Sequence, residues 1–268
     1  MPSGLRGFAR KALGVERTPT YYLPWLTRPG LDCVLLVNNI EARFKPEYNR
    51  GPFPSSVAQY DADGTLVRSY DVSLVSSTDT AEVRLQPTPA GFGFVTVDVT
   101  QLHSDLYTTL SDGRYYTATH GRHEFVETYP AWARGLLGAL GHLLALAGRT
   151  IPAFRREQYV FVGAESRSHL LLMNLSNAVN RIRLVASQDG RRLSSRLLTL
   201  RPMGSLIFDI SQLGHVSQLG DVSQLGAAGT GAPAVKHLHL EGNAWFNLYL
   251  VGAGSRDLAG PLSLMHVK

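Results

Sequence analysis

FVTVDVTQL, residues 94–102, and LIFDISQL, residues 206–213, are two versions of one motif, in which Asp precedes an apolar residue, Thr or Ser, Gln and Leu. Three landmarks come before each copy in the same order: an apolar run that ends in Asn, an Asp-Gly turn and a strand pattern that runs into Pro. They fall at Asn38, Asp63-Gly64 and Pro87 in one half and at Asn174, Asp189-Gly190 and Pro202 in the other. This recurrence predicts a duplicated β unit whose variable spacing lies in loops.

The composition agrees with a β-rich chain. It has 268 residues, of which 44% are hydrophobic and only 18% charged, and it contains 26 glycines. Low charge with many turn residues is typical of sheet proteins, and the length suits two domains of ordinary size. The sequence therefore predicts a mostly β fold with two duplicated antiparallel β-sandwich modules, Ig-like or jelly-roll-like, joined by one apolar helix.

Composition shifts along the chain predict four parts. An N-terminal arm covers residues 1–30, a first sandwich module 31–128, an apolar linker helix 129–156 and a second sandwich module 157–268. The second module contains an exposed loop at 211–234, where the repeats VSQLGD and VSQLGA follow ISQLGH. The two extra copies indicate local expansion of a loop.

The first part of the arm has the pattern of a short basic helix. Within GLRGFARKALGV, Leu5 and Phe8 fall on one side, and Arg10 and Lys11 on the other. Basic amphipathic helices of this kind bind at membrane interfaces. The sequence predicts an anchor to a membrane or a partner here, and a frayed tail is the alternative.

The second part of the arm, TPTYYLPWLTRPG at 18–30, combines three prolines with large aromatic residues. This pattern predicts an extended tether whose rings insert into something apolar. Tyr21, Tyr22 and Trp25 would then cover a domain edge or lie at a membrane interface, where Trp and Tyr are favoured.

The linker contains the strongest helical pattern of the chain, PAWARGLLGALGHLLALAGR at 130–149. Its leucines surround nearly the whole helix between Arg134 and Arg149. The segment is too short to span a bilayer and too apolar for a solvated linker. We expect it either wedged between the two modules or pressed against a membrane or a partner.

Basic residues cluster in the second module, and the formal net charge of the chain is +5. Arg181 and Arg183 alternate with apolar residues, which places both on one sheet face. The guanidinium group recognises carboxylate and phosphate groups, so this face is expected to dock on an acidic protein surface or on lipid headgroups. Nucleic acid is disfavoured because no stacking aromatics are interleaved. A merely solvated basic surface is the alternative.

Two features of the sequence are candidates for metal binding or catalysis. His237, His239 and Glu241 alternate along one strand and would share a face, and these are ligand types for zinc or iron. A polar outer strand face explains them equally well, so no metal and no other cofactor is expected. Cys33 lies in an apolar run, which predicts a buried thiol rather than a nucleophile.

One resemblance extends beyond these patterns. The order of an apolar run at 170–174, the turn Asp189-Gly190, Pro202 and the motif at 209–213 resembles the small β-sandwich of sensory-rhodopsin transducer proteins. It covers a small part of the chain. The resemblance implies a non-catalytic partner of a membrane protein.

These patterns predict a non-catalytic structural or adaptor subunit that binds peripherally to a larger membrane-associated complex, for instance a respiratory, photosynthetic or transport assembly. The start of the chain has no apolar signal segment, so a cytoplasmic location on the membrane surface is expected. Two other functions stay open. One is a carbohydrate-binding protein with an aromatic platform at 48–53, and the other is a metal-dependent enzyme built on His237, His239 and Glu241.

Overall fold

The structure, a computed structural model, describes residues 11–44, 51–99, 102, 104–162, 167–188, 190–213, 234–253 and 262–266. Within these residues the chain is mostly β, with four antiparallel sheets and one long helix. The strands of the first half are β1 Glu16–Leu26, β2 Asp32–Asn38, β3 Phe53–Asp61, β4 Leu66–Leu74, β5 Thr80–Arg84, β6 Phe92–Asp98, β7 Tyr107–Ser111, β8 Tyr116–His120 and β9 Arg122–Thr128.

Helix α1, Ala131–Leu146, connects the first half to the second. The strands that follow it are β10 Phe154–Val162, β11 Arg167–Asn174, β12 Asn180–Gln188, β13 Arg191–Leu200, β14 Ser205–Asp209, β15 Ala234–Gly242, β16 Phe246–Ala253 and β17 Leu262–His266. Two short 3-10 helices, Ile40–Phe44 and Ile210–Leu213, lie in connections.

Each half contributes two sheets to the fold. In the first half, sheet A has the order β4-β3-β6-β1-β9 and sheet B the order β5-β2-β7-β8. In the second half, sheet C has the order β14-β11-β16-β17 and sheet D the order β10-β15-β12-β13. The two halves have the same strand order: β1 to β8 occupy the same positions in sheets A and B as β10 to β17 occupy in sheets D and C. Strand β9, at the edge of sheet A, has no counterpart.

This correspondence does not follow the motif copies that the sequence pairs. Residues 94–98 lie in β6, which is paired on both sides within sheet A, whereas residues 206–209 lie in β14, an edge strand beside β11. By strand order the counterpart of β6 is β15, and that of β14 is β5. Two of the other landmarks do correspond, because β2 and β11 both end in Asn and the Asp-Gly positions lie between the equivalent hairpin strands β3–β4 and β12–β13. The strand that runs into Pro does not, because Pro87 follows β5 whereas Pro202 follows β13, the counterpart of β4.

Sheet C is buried on both faces. Leu170 and Leu172 of β11 belong to the core shared with sheet D, and Leu171 and Met173 belong to the core shared with the first half. Alternate residues of a strand point to opposite faces, so a continuous apolar run is what a doubly covered strand needs. The run Leu170–Met173 therefore holds the two halves together.

Polar contacts strengthen this junction. The backbone N–H of Glu127 donates to the Leu175 carbonyl at 2.9 Å, and Asn177 bonds both backbone groups of Tyr129 through its amide. The Tyr249 hydroxyl donates to the His120 carbonyl at 2.9 Å. The two halves are consequently joined by a mixed interface rather than by a flexible linker.

Residues 16–26 differ from the expected tether. They form β1, which lies between β6 and β9 in sheet A, and every side chain from Thr20 to Leu26 is buried. Pro24 is tolerated because the pairing with β9 ends at Tyr22, so one side of the strand is free of ladder bonds at the proline. Residues 16–26, which the sequence assigns to the arm, thus belong to sheet A of the first half.

Candidate functional site: the outer face of helix α1

Helix α1 is delimited by backbone features rather than by side-chain caps. Pro130 occupies the N-cap with extended backbone, and its carbonyl accepts the first helical bond from Arg134 at 3.0 Å. At the other end Gly148 adopts φ +64°, and the Arg149 N–H returns to the Leu144 carbonyl at 2.9 Å. A left-handed glycine after the last turn is a common helix stop.

The inner face of α1 packs through small residues. Ala133, Leu137 and Gly141 are buried, and Ala133 and Leu137 form a small cluster with Tyr129, Ala178 and Ala244. Gly141 faces Arg181, since a Cβ on Gly141 would lie 3.0 Å from Nη1 of that side chain. The inner face of the helix therefore packs against turns of the second half and against residues that adjoin the first half, while its outer face is left exposed.

The outer face of α1 carries large apolar side chains that no described residue covers. Leu143 is 63% exposed and Leu146 76% exposed. Successive members are four, four, three and three residues apart, which keeps them on one side of the helix. We call this set the outer stripe; it consists of Trp132, Leu136, Leu140, Leu143 and Leu146.

The segment that contains the outer stripe has basic but no acidic residues. No Asp or Glu occurs between Glu127 and Glu157. The exposed residues Arg134 and Arg149 lie on and just beyond the helix. No helix in the described part of the chain is long and apolar enough to cross a membrane.

The first described residues lie beside this helix. Leu13 and Val15 pack against the cluster under α1, and a Cβ on Gly14 would be 3.7 Å from Cγ of Pro130. Lys11, which belongs to the expected anchor, is exposed and precedes this contact. The other anchor residues, Leu5, Phe8 and Arg10, lie outside the described residues.

Three of the expected contact residues belong to the protein core. Tyr22 and Trp25 have no exposed surface, and Tyr21 is buried as well. The Trp25 indole N–H donates to the Tyr60 carbonyl at 3.0 Å. Burial raises the pKa of Tyr22 well above the usual tyrosine value. The structure therefore places these rings inside the first half, where they are not available to lipid or a partner.

Arg181 and Arg183 share the outer face of sheet D, as their spacing predicts, because Ile182 and Leu184 between them are fully buried. Arg183 is opposite Glu241 in the pairing of β12 with β15. Glu241 also forms an ion pair with Arg155, with 3.0 Å between its Oε1 atom and the Nε atom of the arginine. The face is thus a mixed row of both charge signs rather than a uniformly basic patch.

His237, His239 and Glu241 also share this face, and Glu157 joins them from β10. His239 lies 3.1 Å from Glu157 through Nδ1 and 3.3 Å from Glu241 through Nε2. His237 is 3.7 Å from Glu157. No group of three His, Cys, Asp or Glu residues in the described chain has an arrangement that could hold a metal ion. The cluster is a network of imidazole and carboxylate side chains on a half-exposed strand face.

The remaining candidates for chemistry are buried or lack the expected groups. Cys33 is buried and unpaired, and burial raises the pKa of its thiol to about 12. Phe53 of the expected aromatic platform is buried, while Tyr48 lies outside the described residues. A groove of about 550 Å³ is lined by seven residues without an aromatic ring: Pro54, Ser55, Ser56, Asp71, Val72, Ser73 and Asp98.

No protein-family model matches the chain, and a search of curated proteins also gives no match. The resemblance to sensory-rhodopsin transducer proteins therefore gains no support from these comparisons. What can be said of function depends on the surface of the molecule itself.

The sequence predicts the helix at 130–149 but does not indicate which of its sides remains exposed. Every side of the helix carries leucine, so periodicity does not distinguish the covered face from the free one. Trp132 was missed for the same reason. The signal that could have found it is the line of small residues, Ala133 and Gly141, which marks where the helix meets its neighbours closely.

Proposed function

We propose that this protein is a non-catalytic structural or adaptor subunit that binds peripherally to a larger membrane-associated assembly. One observation carries the proposal: the outer stripe of α1 is apolar, continuous along the helix and uncovered. Large exposed apolar patches on an otherwise well-packed protein typically mark interaction sites.

The energetics support this interpretation. Fully burying one leucine side chain stabilises a protein by about 1.5–3 kcal/mol. The chain buries leucine efficiently elsewhere, since Leu170, Leu171 and Leu172 have no exposed surface. Burial of the partly exposed leucines of the stripe against a partner surface would therefore stabilise the complex.

The non-catalytic part of the proposal is supported by the state of the polar groups. His239 is engaged on both ring nitrogens by carboxylates, and the Cys33 thiol is buried. These groups are arranged to stabilise sheets and strand faces. Cys33 borders a cavity of about 220 Å³ together with Arg28, Asp32 and Arg84, but burial raises the pKa of its thiol and so disfavours the reactive thiolate.

We also propose that the two halves are antiparallel β-sandwiches related by duplication. The support is the strand order. It is β4-β3-β6-β1 and β5-β2-β7-β8 in the first half, and β13-β12-β15-β10 and β14-β11-β16-β17 in the second. A common order across eight strands is more specific than the shared sequence motif, whose two copies lie in strands that are not equivalent. The Ig-like or jelly-roll-like type of each sandwich belongs to this proposal.

The test is fractionation of native membranes followed by pull-down in mild detergent. The wild-type protein is compared with a stripe variant, Leu136→Gln/Leu143→Gln/Leu146→Gln, which keeps good helix formers. A matched control, Leu66→Gln/Val75→Gln/Met265→Gln, changes three exposed apolar residues away from α1. We expect wild type and control to sediment with a defined membrane complex and the stripe variant to remain in the supernatant.

A deletion of residues 1–10 separates the contribution of the N-terminal segment. The deletion stops there because Leu13 and Val15 pack under α1 and β1 begins at Glu16. Equal membrane recovery of wild type and stripe variant would overturn the proposal. Recovery lost only in the deletion would move the docking surface from α1 to residues 1–10.

A further inference from the structure

We propose that the outer stripe of α1 lies in the headgroup region of an anionic phospholipid bilayer, with the helix axis parallel to the membrane plane. This inference rests on the proposed function and names the surface that covers the stripe. It concerns direct lipid contact by this chain, independent of any protein subunit.

The dimensions of the helix fit an in-plane position. Sixteen residues at about 1.5 Å per residue give a length of about 24 Å, which is shorter than the apolar thickness of a bilayer. One side of the helix rests on the folded protein through Ala133, Leu137 and Gly141, and an adjacent side carries the stripe. A helix held in this way presents its stripe along its whole length to a flat apolar layer.

The charges select an anionic surface. The 29 residues from 128 to 156 contain no carboxylate side chain, and two of their four arginines are paired elsewhere, Arg155 with Glu241 and Arg156 with Glu124. The exposed cations are Arg149, just beyond the last turn of the helix, and Arg134, in the first turn on the side away from Trp132, and both side chains are long enough to extend toward lipid phosphates. Interfacial helices combine an apolar face with such flanking cations.

The aromatic residue of the stripe agrees with this position. Trp132 is 57% exposed and lies in the first turn of α1. Tryptophan is favoured at the level of the headgroups, because its ring is apolar and its N–H can donate a hydrogen bond. Trp25 is fully buried and Trp245 is partly buried, so Trp132 is the most accessible reporter of the three tryptophans.

The same charges argue against a second copy of the chain as the occupant. Two outer stripes facing each other would bring two carboxylate-free, arginine-containing segments together, and like charges across an interface are destabilising. An anionic bilayer satisfies both the apolar stripe and the flanking cations with one surface.

The test uses the purified full-length protein and two kinds of vesicle, phosphatidylglycerol mixed with phosphatidylcholine, and phosphatidylcholine alone. Binding is followed by sedimentation and by the emission of Trp132, which should shift to shorter wavelength. We expect binding to anionic vesicles to fall more than about a hundredfold in the stripe variant. Arg134→Gln/Arg149→Gln should lower it about tenfold, and the matched control should leave it unchanged.

Two further measurements complete the test. Trp132→Phe should abolish the emission shift while the protein still sediments with vesicles. Analytical ultracentrifugation without lipid should show a monomer for wild type and stripe variant alike.

Three results would overturn the inference: no binding to anionic vesicles, equal binding by the stripe variant, or a wild-type dimer that the stripe variant dissociates. If vesicle binding fails but native membranes still retain wild type and not the stripe variant, the proposed function stands and a protein covers the stripe. If native membranes retain neither protein, the proposed function fails as well.

Discussion

Strand β1 and helix α1 are the two segments that combine large apolar and aromatic residues, and the sequence marks both as candidates for contact with lipid or a partner. The structure treats them differently. The side chains from Tyr21 to Leu26 are all buried, whereas Leu143 and Leu146 of α1 are exposed for more than half of their surface. The difference lies in the neighbours rather than in the composition.

A central strand has two edges, which pair with neighbouring strands, and two faces, which pack against other side chains. β6 and β9 flank β1, and close packing reaches the backbone, because a Cβ on Gly93 would lie 2.9 Å from the indole nitrogen of Trp25. Helix α1 is covered on one side only, where Ala133 and Leu137 pack in a small cluster with Tyr129, Ala178 and Ala244. Apolar composition thus predicts that a segment needs cover, and topology decides whether the chain provides it.

The largest loss of stability is expected for a substitution in β1, the buried segment. Trp25→Ala removes a fully buried indole and its hydrogen bond to the Tyr60 carbonyl, so it should lower the free energy of unfolding by about 3–5 kcal/mol. Trp132→Ala, the exposed counterpart on α1, should lower it by less than about 1 kcal/mol. Urea denaturation followed by circular dichroism measures both. Equal losses would mean that α1 is packed as tightly as β1.

A second prediction concerns the doubly covered strand β11. Leu171→Ala opens a cavity in the core shared with the first half, and Leu172→Ala opens one in the core shared with sheet D. Each should lower the free energy of unfolding by about 2–5 kcal/mol, since both side chains are fully buried. A loss below about 1 kcal/mol at Leu171 would show that the two halves do not share a core.

A third prediction uses the alkaline titration of Tyr249 at the junction of the halves. Burial raises the pKa of Tyr249 above the ordinary tyrosine value near 10. The unfolded chain therefore loses this proton first, so the stability contribution is complete below about pH 10 and is lost as the pH rises further.

Tyr249→Phe should lower the free energy of unfolding by about 1 kcal/mol at neutral pH, because the hydrogen bond to the His120 carbonyl is lost. Above about pH 10 the variant should lose stability less steeply than wild type, by up to about 1.4 kcal/mol per pH unit. Urea denaturation at a series of pH values measures both terms. Identical slopes would mean that the Tyr249 hydroxyl titrates normally in the folded protein.

The smallest effect on stability is expected on the outer stripe. Leu143→Gln exchanges an exposed leucine for another good helix former, so the free energy of unfolding should change by less than about 0.5 kcal/mol. Leu137→Gln on the inner face is the matched contrast and should lower stability by about 2 kcal/mol or more, because it buries an amide among apolar groups. Comparable losses in the two variants would show that the outer stripe is packed against the chain.

The sequence predicts much of the β architecture because hairpins and apolar runs are local signals. The Asp-Gly turn at 63–64 and the runs that end at Asn38 and Asn174 all occur where the patterns place them. The motif copies mislead because a short strand sequence does not specify its partners. Residues 94–98 and 206–209 look alike, yet one is central and the other lies at an edge.

The prediction of an extended tether was wrong at residues 18–26, because these residues pair with strands that are distant in the sequence. Tyr21 to Trp25 lack the alternation of a one-sided strand because both faces are covered, and Pro24 suggests a tether unless the end of β9 is known. On the sheet D face, the alternation of Arg181, His237, His239 and Glu241 was readable, but their pairing with Arg155 and Glu157 depends on β10, a distant strand.

Amide hydrogen exchange with and without isolated native membranes tests most directly whether the outer stripe of α1 docks while β1 remains core. Residues 131–146 should become more protected when membranes are added, and residues 16–26 should be strongly protected in both conditions. Unchanged exchange in α1, measured on protein that has sedimented with the membranes, would contradict the assignment of α1 as the docking surface.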